Sequence, residues 1–183
     1  LGTAYEVTKG PIAAEQERTK QEAYASVLKD ASTFEEGKDI DLSNEKEILM
    51  TAGLEKQDVT ELVIAKNDAG EKIGYVFLLT SHEGYGGDIE LSVGMTEDGT
   101  VTGVEILSIS ETAGLGMRAN TKEFKEQFQN KKVDQFIYTK TGKTADNEID
   151  ALSGATITSN AMTNGVNAAI AYFDSLEGGN GNE

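Results

Sequence analysis

The sequence predicts an α+β fold, an antiparallel β-sheet built from hairpins with helices packed against it. Three observations point there. Residues 60–66 and 72–80 are rich in β-branched and aromatic side chains around a turn-like Asn67-Asp68-Ala69-Gly70. Ile89, Leu91, Val93 and Met95 alternate with Glu90, Ser92 and Gly94, the period of a half-buried strand, and Asp98-Gly99 is a hairpin signal before a further strand at 101–110. Near the C-terminus Met162, Val166, Ala169 and Phe173 recur at helical spacing, with Asn160, Asn164 and Asn167 between them.

The remaining elements follow in order. Residues 1–10 read as an irregular lead-in ended by Pro11, the one proline of the chain. From about 13 to 28 strong helix formers carry an apolar stripe of Ala23, Tyr24, Val27 and Leu28. Residues 35–58 are acidic and weakly patterned, a loop with some helix. Asn120 followed by Glu123 resembles a capping box for a short helix bearing Phe124 and Phe128. A strand is expected at 133–139, a polar loop at 140–147, and a helix from the mid-150s to about Leu176. The organisation expected is an N-terminal helical extension at 1–58, the main domain at 59–176, and a Gly/Asn/Glu-rich disordered tail at 177–183.

Composition narrows the function. A chain of 183 residues, 38% hydrophobic and 26% charged, is long enough for one domain with a sizeable core. Its formal charge of −16 argues against binding nucleic acid or an anionic membrane surface, and any phosphate must be held by local backbone groups. Without cysteine, thiolate-ligated iron–sulfur clusters, disulfides and cysteine nucleophiles are excluded. The single histidine, His82, cannot build a multi-histidine metal site and is expected on an exposed loop. No P-loop, dinucleotide-binding glycine fingerprint or Ser–His–Asp set is evident, so neither an independent catalytic site nor a metal site is expected. No stretch approaches the ~20 apolar residues of a membrane helix.

Residues 150–159, Asp-Ala-Leu-Ser-Gly-Ala-Thr-Ile-Thr-Ser, carry the most chemistry. Asp150, Ser153 and Gly154 favour a helix start, which puts Thr156 on or near a first turn whose N–H groups lack partners and attract a phosphate. An ordinary Ser/Thr-rich helix entrance satisfies the same pattern. Glu111 to Gly116 reads as a tight loop after a strand. Gly114 and Gly116 permit close backbone approach, Leu115 offers an apolar face, and Glu111 and Thr112 can hydrogen-bond. Tyr85 either stacks on a bound ring or packs at a sheet edge.

Asp150-x-x-Ser153-Gly154-Ala155-Thr156 resembles the flavinylation motif of the FMN-binding domain family. Gly84-Tyr85-Gly86-Gly87-Asp88-Ile89 resembles that family's Gly-Tyr-Gly-Gly strand entrance. Glu111-Thr112-Ala113-Gly114-Leu115-Gly116 resembles its Glu-Thr-Pro-Gly-Leu-Gly loop, with Ala113 where the family usually has Pro. The three occur in the expected order between about 84 and 173. The resemblance implies an α+β fold of the FMN-binding domain type and FMN held covalently by a phosphoester to Thr156. In that family a separate flavin transferase installs it, using FAD and magnesium. Ser153, Gly154, Ala155 and Asp150 then belong to the motif loop, with Asp150 either recognised by the transferase or capping the helix. Tyr85, Glu111, Thr112, Gly114, Leu115 and Gly116 are implied as the flavin's surroundings.

The branches it resembles are the flavin subunits of Rnf-type ferredoxin:NAD complexes and of sodium-pumping NADH:quinone reductases. An electron-transfer subunit of a membrane ion-translocating complex is therefore expected, with other membrane subunits as partners. The chain begins at Leu1 without Met, and such subunits carry one N-terminal anchor. The domain is accordingly expected on the extracytoplasmic side of the cell membrane, behind a missing anchor. The alternatives are a free-standing extracytoplasmic flavoprotein carrier and a non-redox binding module.

Overall fold

A computed structural model describes residues 2–37 and 42–178, with side chains at 14–37 and 42–176. Helix α1 (Gly2–Val27) leads into strand β1 (Thr33–Glu36), a short 3-10 turn and helix α2 (Glu45–Thr51). Strands β2 (Gln57–Lys66), β3 (Lys72–Ser81), β4 (Ile89–Thr96) and β5 (Val101–Ser108) follow. A 3-10 turn (Gly116–Asn120) and helix α3 (Lys122–Glu126) precede strands β6 (Ile137–Thr139) and β7 (Glu148–Asp150), and helix α4 (Thr156–Gly178) closes the order. Strands β1 to β5 form one antiparallel meander in sequence order, while β6 and β7 pair in parallel as a separate ribbon. The α+β antiparallel architecture is as the sequence predicts.

Both faces of the sheet are covered, and β3 shows why its sequence is apolar without interruption. Tyr75, Phe77 and Leu79 face α4 in the main core with Leu91, Val93, Met162, Val166, Tyr172 and Phe173, whereas Val76 and Leu78 face α1 with Tyr24, Val27 and Leu28. A strand buried on both sides loses the polar/apolar alternation. Gly94 and Gly103 are directly paired across β4 and β5, and both lie against the Val27 backbone. There α1 comes down on the sheet, and Thr102 Oγ1 donates to the Val27 carbonyl at 2.5 Å. Any side chain at Gly94 would occupy the Val27 carbonyl's place.

Several expectations are corrected. The lead-in at 2–10 is helical, and Pro11 lies inside α1, where it removes one N–H from the ladder without ending the helix. The acidic segment contains an edge strand, β1, whose only large apolar residue is Phe34; pairing with β2 and a Lys66–Glu35 ion pair at 2.8 Å supply what local sequence does not. It also contains α2, tied to the sheet by Glu45, whose buried carboxylate accepts from Val59 N at 2.6 Å where the β2–β3 register shifts. Helix α3 is capped by Thr121, whose hydroxyl accepts from Phe124 N at 3.4 Å, and not by Asn120. The strand expected at 133–139 is confined to Ile137–Thr139. Strand β7 is an addition to the expected elements, because three residues carry no readable period. The expected tail lies outside the described residues from 179 on, and residues 177–178 belong to α4.

Two stitches bind α4 to its surroundings. Asn167 holds the backbone of Phe136, its Oδ1 accepting from Phe136 N at 2.7 Å and its Nδ2 donating to Phe136 O at 2.8 Å. Glu83 accepts from Asn164 at 2.8 Å, from Asn160 at 3.4 Å and from Gln57 of β2 at 2.6 Å. His82, beside it, is exposed on the turn after β3 as expected and is paired there: its Nε2 lies 2.6 Å from Asp58 and its Nδ1 2.8 Å from Asp88.

The hydrogen bonds to Asp58 and then Asp88 hold the His82 pKa above its ordinary 6.5. A group whose folded pKa is raised stabilises fully below its unfolded value and loses that contribution as pH rises through its folded value. Urea unfolding followed from about pH 6 to about pH 9 should therefore show a component of stability falling with rising pH, which His82→Gln removes. An identical slope in the variant would assign the titration elsewhere.

Candidate functional site

Three segments meet at one end of the sheet: the β3–β4 connection, the segment after β5, and the β7–α4 connection with the first turn of α4. Glu111 joins them. The residue is 9% exposed; its Oε1 accepts from Tyr85 N and from Thr158 Oγ1, each at 2.8 Å, and Oε2 accepts from Gly86 N. A buried carboxylate is costly without partners, and here three donors satisfy it. The hydrogen-bonding capacity expected of Glu111 toward a ligand is thus directed into the protein. Gly116 sits against the same joint: a Cβ there would lie 2.5 Å from Thr158 Oγ1 and 2.7 Å from Glu111 Cβ.

The entrance of α4 is built differently from the expected cap. The Ala155 carbonyl accepts from Ser159 N at 3.1 Å, so Ala155 stands at the N-cap with no side-chain oxygen, and Thr156 opens the helix. Among the described residues no acceptor meets the N–H groups of Thr156, Ile157 and Thr158. Asp150 lies in β7 and is engaged elsewhere, Oδ1 accepting from Lys143 N at 2.6 Å, so it folds the 140–147 loop back and does not cap α4. Ser153 is exposed, and its carbonyl accepts from Arg118, which also donates from Nε to Leu115 O at 3.3 Å. Gly154 has φ +74° and Gly114 φ +75°, both in the left-handed region.

An open cleft of about 610 Å³ lies over this entrance, within the range of small-molecule sites. Tyr85, Leu115 and Ile157 line it and are 72%, 43% and 52% exposed, so three apolar surfaces face one concavity. Thr112, Gly116 and Gly154 also line it, as do Ala155, Thr156 and Thr158. Asp150, Ser153, Glu111 and Gly114 do not line it; the first three act through hydrogen bonds around it, and Gly114 shapes the loop that carries Leu115. Thr156 is half-buried and also borders a second hollow of about 380 Å³ with Lys56, Glu83 and Tyr138. The hydroxyls of Thr158 and Ser159 are both engaged, Ser159 Oγ accepting from Leu152 N at 2.8 Å and donating to Ala155 O at 3.0 Å. Thr156 Oγ1 makes no hydrogen bond among the described residues.

Arg118 and Thr158 join the site without a signal in the sequence. An arginine in a 3-10 turn and a threonine one turn into a helix look ordinary locally, because their partners are distant in the chain. Gly116→Ala should lower unfolding stability by roughly 1–3 kcal/mol, the range for overpacking a close contact, measured as a shift in urea midpoint. An unchanged midpoint would mean that Thr158 and Glu111 are not held against this glycine.

A family model described as FMN-binding domain matches residues 84–171. The chain is 35% identical over 173 residues to the G subunit of the Na(+)-translocating ferredoxin:NAD(+) oxidoreductase complex of Acetobacterium woodii, covering 93% of this chain and 81% of that protein. It is 30% identical over 181 residues to the G subunit of the ion-translocating oxidoreductase complex of Methanosarcina acetivorans, covering 97% and 87%. The crystal structure of NqrC from Shewanella oneidensis matches with a TM-score of 0.55 over 66% of this chain and 62% of that one, at 19% identity, which shows a shared fold. The three segments that Glu111 joins all fall within the matched region, and this chain belongs to the FMN-binding domain family, among the G subunits of Rnf-type ion-translocating ferredoxin:NAD oxidoreductase complexes.

Proposed function

We propose that this chain carries FMN esterified through its phosphate to Thr156 and relays electrons as the flavin subunit of a membrane ion-translocating ferredoxin:NAD oxidoreductase complex. The observation that carries the proposal is the uncapped first turn of α4. Among the described residues, three N–H groups of that turn meet no acceptor, and the Thr156 hydroxyl, also unengaged, borders a cleft. Such a turn holds a phosphate by backbone donors and helix dipole, which matters in a chain of charge −16 that repels anions at long range. The residues fit the group. Thr156 supplies the ester oxygen, the α4 amides meet the phosphate, and Tyr85, Leu115 and Ile157 offer apolar surface to an aromatic ring.

In the maturation step, Thr156 Oγ1 forms a bond to the FMN-side phosphorus of FAD as the pyrophosphate P–O bond breaks. AMP leaves with that electron pair, and the hydroxyl proton passes to the transferase. The bound flavin supplies redox chemistry that neither the histidine nor any thiol of this chain provides. A tether removes the need for tight non-covalent affinity, so the half-exposed lining of the cleft suits exchange with a neighbouring subunit better than enclosure of a substrate.

Protein matured by a flavin transferase should gain the mass of one FMN less one water, and Thr156→Val should abolish the gain. In the same preparations Leu115→Ala should keep the mass gain while changing flavin fluorescence. An adduct mapped to Ser153 or Thr158 would overturn the assignment.

The same reading puts the folded domain at the extracytoplasmic face of the membrane, beside other membrane subunits and behind an N-terminal anchor. Its support is the naming of the relatives as subunits of ion-translocating complexes. Among the described residues no helix is long and apolar enough to cross a membrane. Protease added to cells with only the outer layer permeabilised should cut the domain in the full-length protein. Protection that persists until the inner membrane is broken would refute this location.

A further inference from the structure

Four hydroxyls cluster at the start of α4, on Ser153, Thr156, Thr158 and Ser159, and a transferase must choose one. Backbone amides alone do not explain the choice between Thr156 and Thr158, because both residues belong to the first turn. Successive residues turn about 100° around a helix, so two residues' separation puts these hydroxyls on nearly opposite sides. Whichever faces the interior is withdrawn from chemistry. Which one does is therefore a question of how α4 is rotated about its axis, and at this end the bonds of Asn160 and Asn164 to Glu83 and of Thr158 to Glu111 hold it.

We infer that Glu111 is the positioning residue of flavin attachment: by taking the Thr158 hydroxyl it fixes the rotation of α4 that presents Thr156. This rests on Thr156 as the attachment residue. Thr158 is 1% exposed, its Oγ1 donates to Glu111 Oε1 at 2.8 Å, and Gly116 closes over the pair. The same carboxylate accepts from Tyr85 N and Gly86 N, which gives the joint a fixed reference on the β3–β4 connection. Glu111 neither lines the cleft nor contacts Thr156, so it acts through Thr158. A helix rotated by two residues, about 200°, would turn the Thr156 hydroxyl to the interior and bring Thr158 to the surface.

The test is a time course of flavin transfer to the unmodified full chain, with purified transferase, FAD and magnesium, read by intact mass and by mapping the modified peptide. Glu111→Ala and Thr158→Val should each slow modification of Thr156 by roughly ten- to a hundredfold, the effect of losing a charge-assisted hydrogen bond at a buried site. Glu111→Gln, which keeps one acceptor oxygen, should recover much of the rate. Val76→Ala, a core truncation on the opposite face of the sheet, should lower thermal stability without slowing transfer. Parent-like rates in both Glu111→Ala and Thr158→Val overturn the inference. So does equal slowing by Val76→Ala, which would make the effect one of general stability. If Glu111→Ala fails to fold, Thr158→Val and Glu111→Gln decide alone. A parent chain left unmodified at Thr156 brings down the functional reading itself, a result distinct from parent modification that is indifferent to Glu111.

Discussion

The candidate site depends on one buried carboxylate. Glu111 has three donors, from Tyr85, Gly86 and Thr158, and they come from two segments far apart in the chain. Removing such a group from water is unfavourable, and the balance is restored only when every partner is in place. Each partner lost therefore weakens the hold on these segments and leaves part of a buried carboxylate unsatisfied. That hold gives an open cleft a defined shape even though Tyr85 and Leu115 on its walls are largely exposed.

Beneath the joint, the sheet supplies a rigid base. Its two faces are buried against different helices, so β3 and β4 cannot shift without exposing one core or the other. Helix α4 spans the main core and begins at the site, and its polar stripe is used to hold it there. Asn167 grips the Phe136 backbone, and Asn160 and Asn164 grip Glu83. The asparagines that interrupt the apolar period of α4 are thus part of its attachment and not merely a solvated face. The site inherits its precision from these contacts, because the cleft residues themselves bury little surface.

Charge acts at two ranges. At long range an excess of acidic residues repels anions, and salt screens that field within about 10 Å. At contact range the free amides of α4 dominate, helped by the absence of a capping side chain at Ala155. A capping side chain would have occupied the space in front of these amides. Ala155 at the N-cap is unfavourable for the isolated helix and favourable for an anion site, a local conflict of the kind found where function overrides stability.

The sequence by itself determined the α+β class, the hairpin strands from β2 to β5, the apolar face of α4 and the three motifs of the site. Each is a local pattern: a period of two, a period of 3.6, or a short run of glycine and hydroxyl residues. Only the tertiary structure decided the rest. Strand β1 exists because β2 offers it a ladder, and Asp150 folds back a neighbouring loop where its position before a helix suggested a cap. Thr121 displaced Asn120 at the α3 cap because the preceding 3-10 turn takes residue 120. The role of Glu111 was illegible for the plainest reason: its partners lie 25, 26 and 47 residues away along the chain, and no periodicity links groups that only the fold brings within hydrogen-bond distance.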